Sequence, residues 1–404
     1  MNQLKRIPSY IWTLLSLFIG LLLGGLCSYE LAGVAEATHT GLRGFINVVP
    51  LLIFIALSPA VSKLTSQGRG GLLAGSVIGW YLLTSLLAGL LGVTLSSIIF
   101  DIGFSAGEDS LIADAMAMFS TLNGSSGASL PLLAIVMAII AGLLAGIIPP
   151  LQAQLDRFDY WMNNATPLLS RIMPFIVFFL GISLGVNTGA TQSMTYYLWI
   201  SLYTLLLCVS WLAIYQVIAI KLIAKQSIRR VLKSYFFPTA VFAAGTCSSL
   251  ATLPVNLQNV KKAGADENIA NFVLPIGSVV NMDTSALAYV AYAPFIMTVV
   301  FDAPLTWSVL LVAWPAIVLF TIAAPGLPAG MGTALWSSTL FASLLGLPEA
   351  QATVFITTWI ALSGGIPDMF RTATNCTCDG FTAILFSEKF KTKPAVVNAN
   401  EVTT

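Results

Sequence analysis

Long stretches of this 404-residue chain carry no charge. Apolar runs extend over Ile7–Tyr29, Gly44–Ser62, Gly70–Phe100, Ala115–Leu155 and Ile172–Ile220. A helix needs roughly 20 apolar residues to cross a bilayer core, so each run predicts at least one spanning helix. Polar Asn123-Gly-Ser-Ser-Gly127 opens the fourth run and leaves Leu130–Ile148 as its span. The fifth is long enough for two spans, divided near Asn187-Thr-Gly-Ala-Thr191. That makes six helices before about residue 225. Gly20/Gly24 and Gly142/Gly146 are small-residue pairs one turn apart and predict close helix packing. Lys5 and Arg6 precede the first run as in a signal peptide. The length of that run, and of the apolar chain after it, predict a retained helix instead.

The pattern then changes. Ser234–Val260 is charge-free with basic residues at both ends, and its middle is Gly245-Thr-Cys-Ser-Ser249. Each half is too short to span at 1.5 Å rise per residue. A helix-turn-helix that enters and leaves on one side fits both length and charge. Asn268–Phe301 follows as a helix whose one charge is Asp283. Ala303–Pro348, between Asp302 and Glu349, again has no charge and is broken by Pro325-Gly-Leu-Pro-Ala-Gly330. Gln351–Phe386 then reads as a helix with ionisable residues buried along it. Hairpin plus helix, repeated in the opposite sense, is an inverted repeat. Interrupted backbone at membrane depth is tolerated where it lines a cavity or binds something, and such repeats point to a transporter with its site at the midplane.

Composition agrees. Apolar residues make up 57% and charged residues 9%, with a mean hydropathy of +0.88; a soluble protein carries roughly a quarter charged residues. Lipid is therefore the main solvent. A formal charge of +1 excludes a basic nucleic-acid binder. His39, the one histidine, rules out paired-His metal sites and reads as a loop residue in a polar stretch. Five cysteines, Cys27, Cys208, Cys247, Cys376 and Cys378, stand in apolar segments and do not read as a disulfide framework. Placing both termini in the cytoplasm puts 16 of the 18 Lys and Arg residues inside, with Arg43 outside and Arg371 at membrane depth.

The intramembrane charges carry the functional signal. Asp283, Asp368, Arg371 and Asp379 each cost roughly 2.5–3.5 kcal/mol at the bilayer centre. Asp368, Arg371, Thr372, Asn375 and Asp379 fall on one helix face, a stripe about 16 Å long at helical rise. Pairing of Asp368 with Arg371 at i, i+3 is the purely structural alternative, and it leaves Asp283, Asn375 and Asp379 unexplained. The Arg371 fork suits a carboxylate, a carboxylate such as Asp368 suits an ammonium group, and the remaining carboxylates suit a hard cation such as Na⁺.

These residues resemble the glutamate transporter family, the dicarboxylate/amino acid:cation symporters. Pro275-Ile-Gly277 with Asn281-Met-Asp283 resembles its NMDGT signature, and Asp368-Met-Phe-Arg-Thr372 with Asn375 and Asp379 resembles DMGRTxxNxxxD. Thr246-Cys-Ser-Ser249 with Thr252-Leu-Pro254 resembles the first hairpin tip, and Tyr81-Leu-Leu-Thr-Ser85 a third-helix cation segment. The resemblance implies an all-α membrane fold of eight transmembrane helices plus two re-entrant hairpins. It implies scaffold helices within 1–70 and 101–190, and a transport domain from helix 3 (71–100), helix 6 (191–228), hairpin 1 with helix 7 (229–302) and hairpin 2 with helix 8 (303–390). Residues 391–404 form a cytoplasmic tail. It further implies a homotrimer in the plasma membrane, an elevator motion, and Na⁺-coupled symport of aspartate or glutamate.

Carried over by residue, the resemblance assigns the substrate to Arg371, Asp368, Thr372, Asn375, Ser248, Ser249, Ser285 and Leu327. One Na⁺ would take Asp379 with the Gly277, Asn281 and Asn375 carbonyls. A second would take Tyr81, Thr84, Ser85, Asn281 and Asp283, and a third the Thr321, Ile322, Ala324 and Val279 carbonyls. The chain departs from the pattern at Thr284 and Phe370, both usually Gly, at Gly364, where an acid is common, at Cys247, and at the extra proline of the second tip. The alternatives are a C4-dicarboxylate or H⁺-coupled carrier, a carrier of another small amino acid, a channel, or an intramembrane hydrolase using Ser248 or Cys376. The hydrolase lacks a base.

Overall fold

The computed structural model describes residues 9–46, 48–67, 72–102, 129–303, 305–322 and 331–390. Its described residues form helices and no strands. Among the described residues, three helical stretches are long and apolar enough to cross a bilayer: Leu72–Ile99, Ala190–Ile223 and Glu267–Val300. Shorter apolar helices cover Ile11–Leu26, Val136–Ala145, Pro174–Thr188 and Trp307–Ile322.

The first half comprises α1 (Ser9–Leu26), α2 (Ala32–Ile46), α3 (Val49–Gln67), α4 (Leu72–Ile99), α5 (Ser129–Ala145), α6 (Pro149–Thr188) and α7 (Ala190–Tyr215). A π-helical stretch, Gln216–Ile223, prolongs α7. The helix α2 corrects two expectations. The second span begins at Val49 rather than Gly44, and His39 is helical rather than in a loop. The polar stretch is one face of an amphipathic helix. Thr38 and Thr40 donate their hydroxyls to the carbonyls of Val34 and Glu36, four residues back, and His39 meets Ser183 of α6 at 2.5 Å. The division at Asn187–Thr191 falls at Gly189, whose φ of 79° favours glycine.

The small-residue pairs pack as expected. A Cβ on Gly20 or Gly24 would strike the α6 backbone at Phe178 or Ile182, so α1 lies along α6 at backbone contact. Gly142 and Gly146 face Ser58, Val61 and Thr65 in the same way, joining α5 to α3. The outward leucines of α4 and α7, such as Leu83, Leu87, Leu198 and Leu202, are exposed. These are lipid-facing surfaces.

In the second half, a single turn (Ile228–Val231) and a π-helical stretch (Leu232–Phe236) lead into α8 (Phe237–Thr246). Cys247, at φ 48°, and extended Ser248 turn the chain into α9 (Ser249–Lys262). The turn falls within the Gly245–Ser249 middle, and the two helices pack on each other. Next come α10 (Glu267–Val280), α11 (Asp283–Phe295, prolonged by a π-helical Ile296–Val300), α12 (Trp307–Ile322), α13 (Met331–Leu344), α14 (Glu349–Ser363) and α15 (Ile366–Lys389). The second tip, with Ala324 and Leu327, lies outside the described residues. So do most of the acidic loop after Asp101 and the tail lysines Lys391 and Lys393.

Two expected single helices are each two. Asn281 and Met282 leave helical backbone between α10 and α11 (ψ 92° and 41°). Gly364 and Gly365 separate α14 from α15. Gly365 has φ 68°, and Pro367 in the first turn of α15 has no N–H to continue an incoming helix. Apolar periodicity is blind to both breaks because the flanking segments stay apolar. α15 runs through the middle of this half and contacts α7, α8, α9, α10 and α11. α4 lies along α11 and α12.

Candidate functional site

α15 begins inside the helical packing because Gly365 admits the turn, and it places Asp368 in its first turn, where the helix dipole favours a carboxylate. Asp368, Arg371, Thr372, Asn375 and Asp379 form one continuous buried face. Arg371 is 1% exposed. Its Nη2 donates to Asp368 Oδ1 at 2.9 Å and to the Ser363 carbonyl at 3.0 Å. The guanidinium carbon lies 4.5 Å from the ring centre of Tyr289 and 5.9 Å from that of Tyr292, both on α11. The i, i+3 pair anticipated as a structural alternative is therefore formed, but it is incomplete. Among the described residues, Arg371 Nε and Nη1, and Asp368 Oδ2, are buried without a hydrogen-bond partner. Each such atom costs about 1–3 kcal/mol, and more when it belongs to a charged group.

A second cluster centres on Asp283, the first residue of α11. Its Oδ1 accepts from Ser85 (2.8 Å) and Thr84 (3.1 Å) of α4. Its Oδ2 accepts from the indole N–H of Trp211 on α7 at 3.2 Å. Trp211 was not anticipated. The available signal was its chemistry: a donor-only indole in an apolar helix needs an acceptor, and acceptors at that depth are few.

Beside it, Asn281 Nδ2 donates to Asp379 Oδ1 at 2.8 Å. Gly277 permits this approach, since a Cβ there would collide with the Asp379 carboxylate and lie 2.6 Å from the Tyr81 hydroxyl. Tyr81 itself donates to the Val273 carbonyl at 3.3 Å. Asn281 Oδ1 is buried and unpartnered. Carboxylate, amide, hydroxyl and phenol oxygens around an orphaned acceptor form a donor set suited to a hard cation. Among the described residues, no three His, Cys, Asp or Glu side chains gather as a softer metal cluster.

Asn375 ties α15 to the break before α11. Its Oδ1 accepts from Thr284, and its Nδ2 faces Ser285 Oγ at 3.2 Å. At the first hairpin tip, Ser249 meets Cys376 Sγ at 3.5 Å, so it stands against α15. Ser248 is spent locally, capping α9 through the Ala251 N–H. The side chain of Val279 is 43% exposed and turned out of the cluster. Thr321 and Ile322 are buried, with the Thr321 hydroxyl bonded to the Val318 carbonyl in its own helix. Phe370 is half-buried beside Arg371. All five cysteines are free.

The family model of the sodium:dicarboxylate symporters matches residues 10–389. The chain belongs to that family. The family is one of symporters, not of enzymes, and membership together with the apolar helices makes this a membrane protein. The L-cystine uptake protein TcyP of Shouchella clausii is 26% identical over 92% of this chain and 87% of its own length. The proton/sodium-glutamate symport protein of Bacillus subtilis is 27% identical over 59% of this chain and 53% of its own length. A putative sodium-dependent excitatory amino acid transporter of Caenorhabditis elegans, glt-6, is 32% identical over 38% of this chain. The matched region spans only 27% of that nematode relative.

Proposed function

We propose that this protein is a secondary active transporter that couples uptake of an acidic amino acid to Na⁺ entry. The observation that carries this reading is the incomplete Arg371–Asp368 pair. Among the described residues, two guanidinium nitrogens lack an acceptor and one carboxylate oxygen lacks a donor, all three buried. An acidic amino acid supplies both partners at once, its side-chain carboxylate to Arg371 and its ammonium to Asp368. Thr372, Asn375, Ser285 and Ser249 complete the substrate wall, and the resemblance adds Leu327 to the set. The Asp379–Asn281–Gly277 group and the Thr84–Ser85–Asp283 group, with Tyr81, hold the coupling cations. The Thr321, Ile322, Ala324 and Val279 carbonyls are the proposed third set. Asn281 Oδ1, a buried acceptor with no donor among the described residues on the amide that bonds Asp379, supports a cation there. A net anion entering a negative-inside cell works against about 2.3 kcal/mol per charge per 100 mV, so at least two cations must accompany it.

In this reading the eight spans are α1, α3, α4, α5, the second half of α6, α7, α10–α11 and α14–α15. The pairs α8–α9 and α12–α13 are re-entrant, and the termini are cytoplasmic. Packing of α1 on α6 and of α3 on α5 fits a scaffold, while α4 and the helices from α7 onward form the unit that slides, within a homotrimer. The test is uptake into proteoliposomes from a panel of acidic and neutral amino acids and C4-dicarboxylates, with Na⁺, H⁺ and K⁺ gradients imposed singly. Uptake of aspartate or glutamate that collapses without Na⁺ is expected. Uptake of the acid indifferent to Na⁺ overturns the reading. A second reading has its own support: the relative matched over 92% of this chain is a cystine uptake protein. The 2.9 Å pair is already charge-neutral and would suit a zwitterion without a second carboxylate. Uptake of cystine in preference to aspartate favours it.

A further inference from the structure

Met282, the residue before α11, makes no side-chain capping bond to that helix. The cap comes instead from another helix. Asn375 Oδ1, on α15, accepts the Thr284 backbone N–H at 2.9 Å, satisfying one of the orphan donors of the α11 N-terminus. It also accepts the Thr284 hydroxyl at 2.6 Å, while that hydroxyl lies 3.0 Å from the Arg371 carbonyl. A backbone N–H is only ever a donor, so the atom it meets must be the amide oxygen. A flip of the amide would set an NH₂ group against that N–H and forfeit its bond, and the single proton of the hydroxyl, directed along the shorter of its two contacts, favours the same orientation. Nδ2 is thereby turned toward Ser285 Oγ at 3.2 Å and Met282 Sδ at 3.5 Å. Both are long contacts that a stronger acceptor would replace. Thr284 and Asn375 are both buried.

We propose that Thr284 is a positioning residue that locks the Asn375 amide with its NH₂ toward the substrate, so that this wall of the site reads a carboxylate oxygen and rejects an ammonium. The sequence departure at Thr284 thus sharpens recognition instead of crowding a cation. The inference rests on the transport reading above, but only on its weakest form, that an amino acid binds at Asn375.

The test compares wild type with T284V, T284S and T284A in proteoliposomes, measuring KM, Vmax and the thermal midpoint of the detergent-solubilised protein. Valine keeps the volume and removes the hydroxyl, while serine keeps the hydroxyl. Loss of one hydrogen bond predicts a KM about fivefold higher in T284V and T284A, with Vmax little changed and KM restored in T284S. The proposal is overturned if T284V leaves KM unchanged, or if T284S is as impaired as T284V. It is equally overturned if T284V and T284A lower only Vmax and thermal midpoint, or fail to fold, since the role is then structural. Should wild type carry a neutral amino acid in place of an acidic one, the acidic assignment fails while this test stands, because every amino acid offers its α-carboxylate to Nδ2.

Discussion

Arg371→Ala is the perturbation that bears most directly on the site. In the folded protein Nη2 makes a 2.9 Å bond to Asp368 and a 3.0 Å bond to the Ser363 carbonyl, under the face of Tyr289. In the proposed function, truncation removes the cation that the substrate carboxylate meets. Losing one partner of a buried charge pair costs about 2–5 kcal/mol, which is a rise in KM of roughly 30-fold to several thousand-fold at 1.4 kcal/mol per decade. The same truncation strands Asp368, 5% exposed, in an apolar setting, a destabilisation of about 3–5 kcal/mol. The two losses separate experimentally. Arg371→Ala combined with Asp368→Asn removes the stranded charge and recovers thermal stability, yet it does not recover uptake. Arg371→Lys keeps the charge but cannot reach Asp368 and Ser363 together from one planar fork, so its KM falls between wild type and alanine. The assay is radiolabelled aspartate uptake at saturating Na⁺, with thermal unfolding in detergent alongside. A KM for Arg371→Ala within about threefold of wild type, less than 1 kcal/mol, refutes the assignment of this guanidinium to the substrate.

Three further outcomes are expected. Asp379→Asn keeps the shape of the partner of Asn281 and removes its charge, so the Na⁺ concentration for half-maximal uptake rises at least about tenfold; normal Na⁺ dependence in this variant excludes Asp379 from the cation site. Trp211→Phe leaves Asp283 Oδ2 buried without its donor, lowering stability by about 1–3 kcal/mol and weakening Na⁺ dependence; an unaltered melting curve and Na⁺ titration together show that the indole contact is idle. Native mass spectrometry in mild detergent is expected to give three copies of the chain, and a monomer at all protein concentrations contradicts the proposed assembly.

The parts legible in the sequence were those governed by charge and period. Charge-free runs placed α1, α4 and α7, and the polar Gly245–Ser249 insertion located the turn between α8 and α9. The spacing from Asp368 to Asp379 defined the buried face of α15. What stayed hidden depended on long-range partners or on backbone torsion. Nothing in the polar stretch around His39 distinguishes a loop from an amphipathic helix until Ser183 of α6 stands opposite. Trp211 and Thr284 gain meaning only from Asp283 and Asn375, each more than 70 residues away. Ser248 looked equivalent to Ser249, but only one of two adjacent hydroxyls can cap α9 while the other turns to α15.

The two helix breaks tie these observations together. Asp283 opens α11, and Asp368 lies in the first turn of α15. Each therefore follows a helix pair and a further helix and sits where backbone N–H groups have no intrahelical partner. A continuous helix through either point would satisfy its own amides and leave the carboxylate with no favourable field. Interrupting it creates a positive end worth about 0.3–1 kcal/mol to a nearby anion, more where water is excluded. That gain is small against the cost of burying a carboxylate, so further donors are needed. Asp283 has three, from α4 and α7. Asp368 has a single donor, Arg371, and an oxygen left over. In the proposed function this inequality gives the two carboxylates different tasks. The one with three donors, Asp283, is a fixed member of a cation site. The unsaturated one, paired with an unsaturated guanidinium, is where an exchangeable solute gains most by binding.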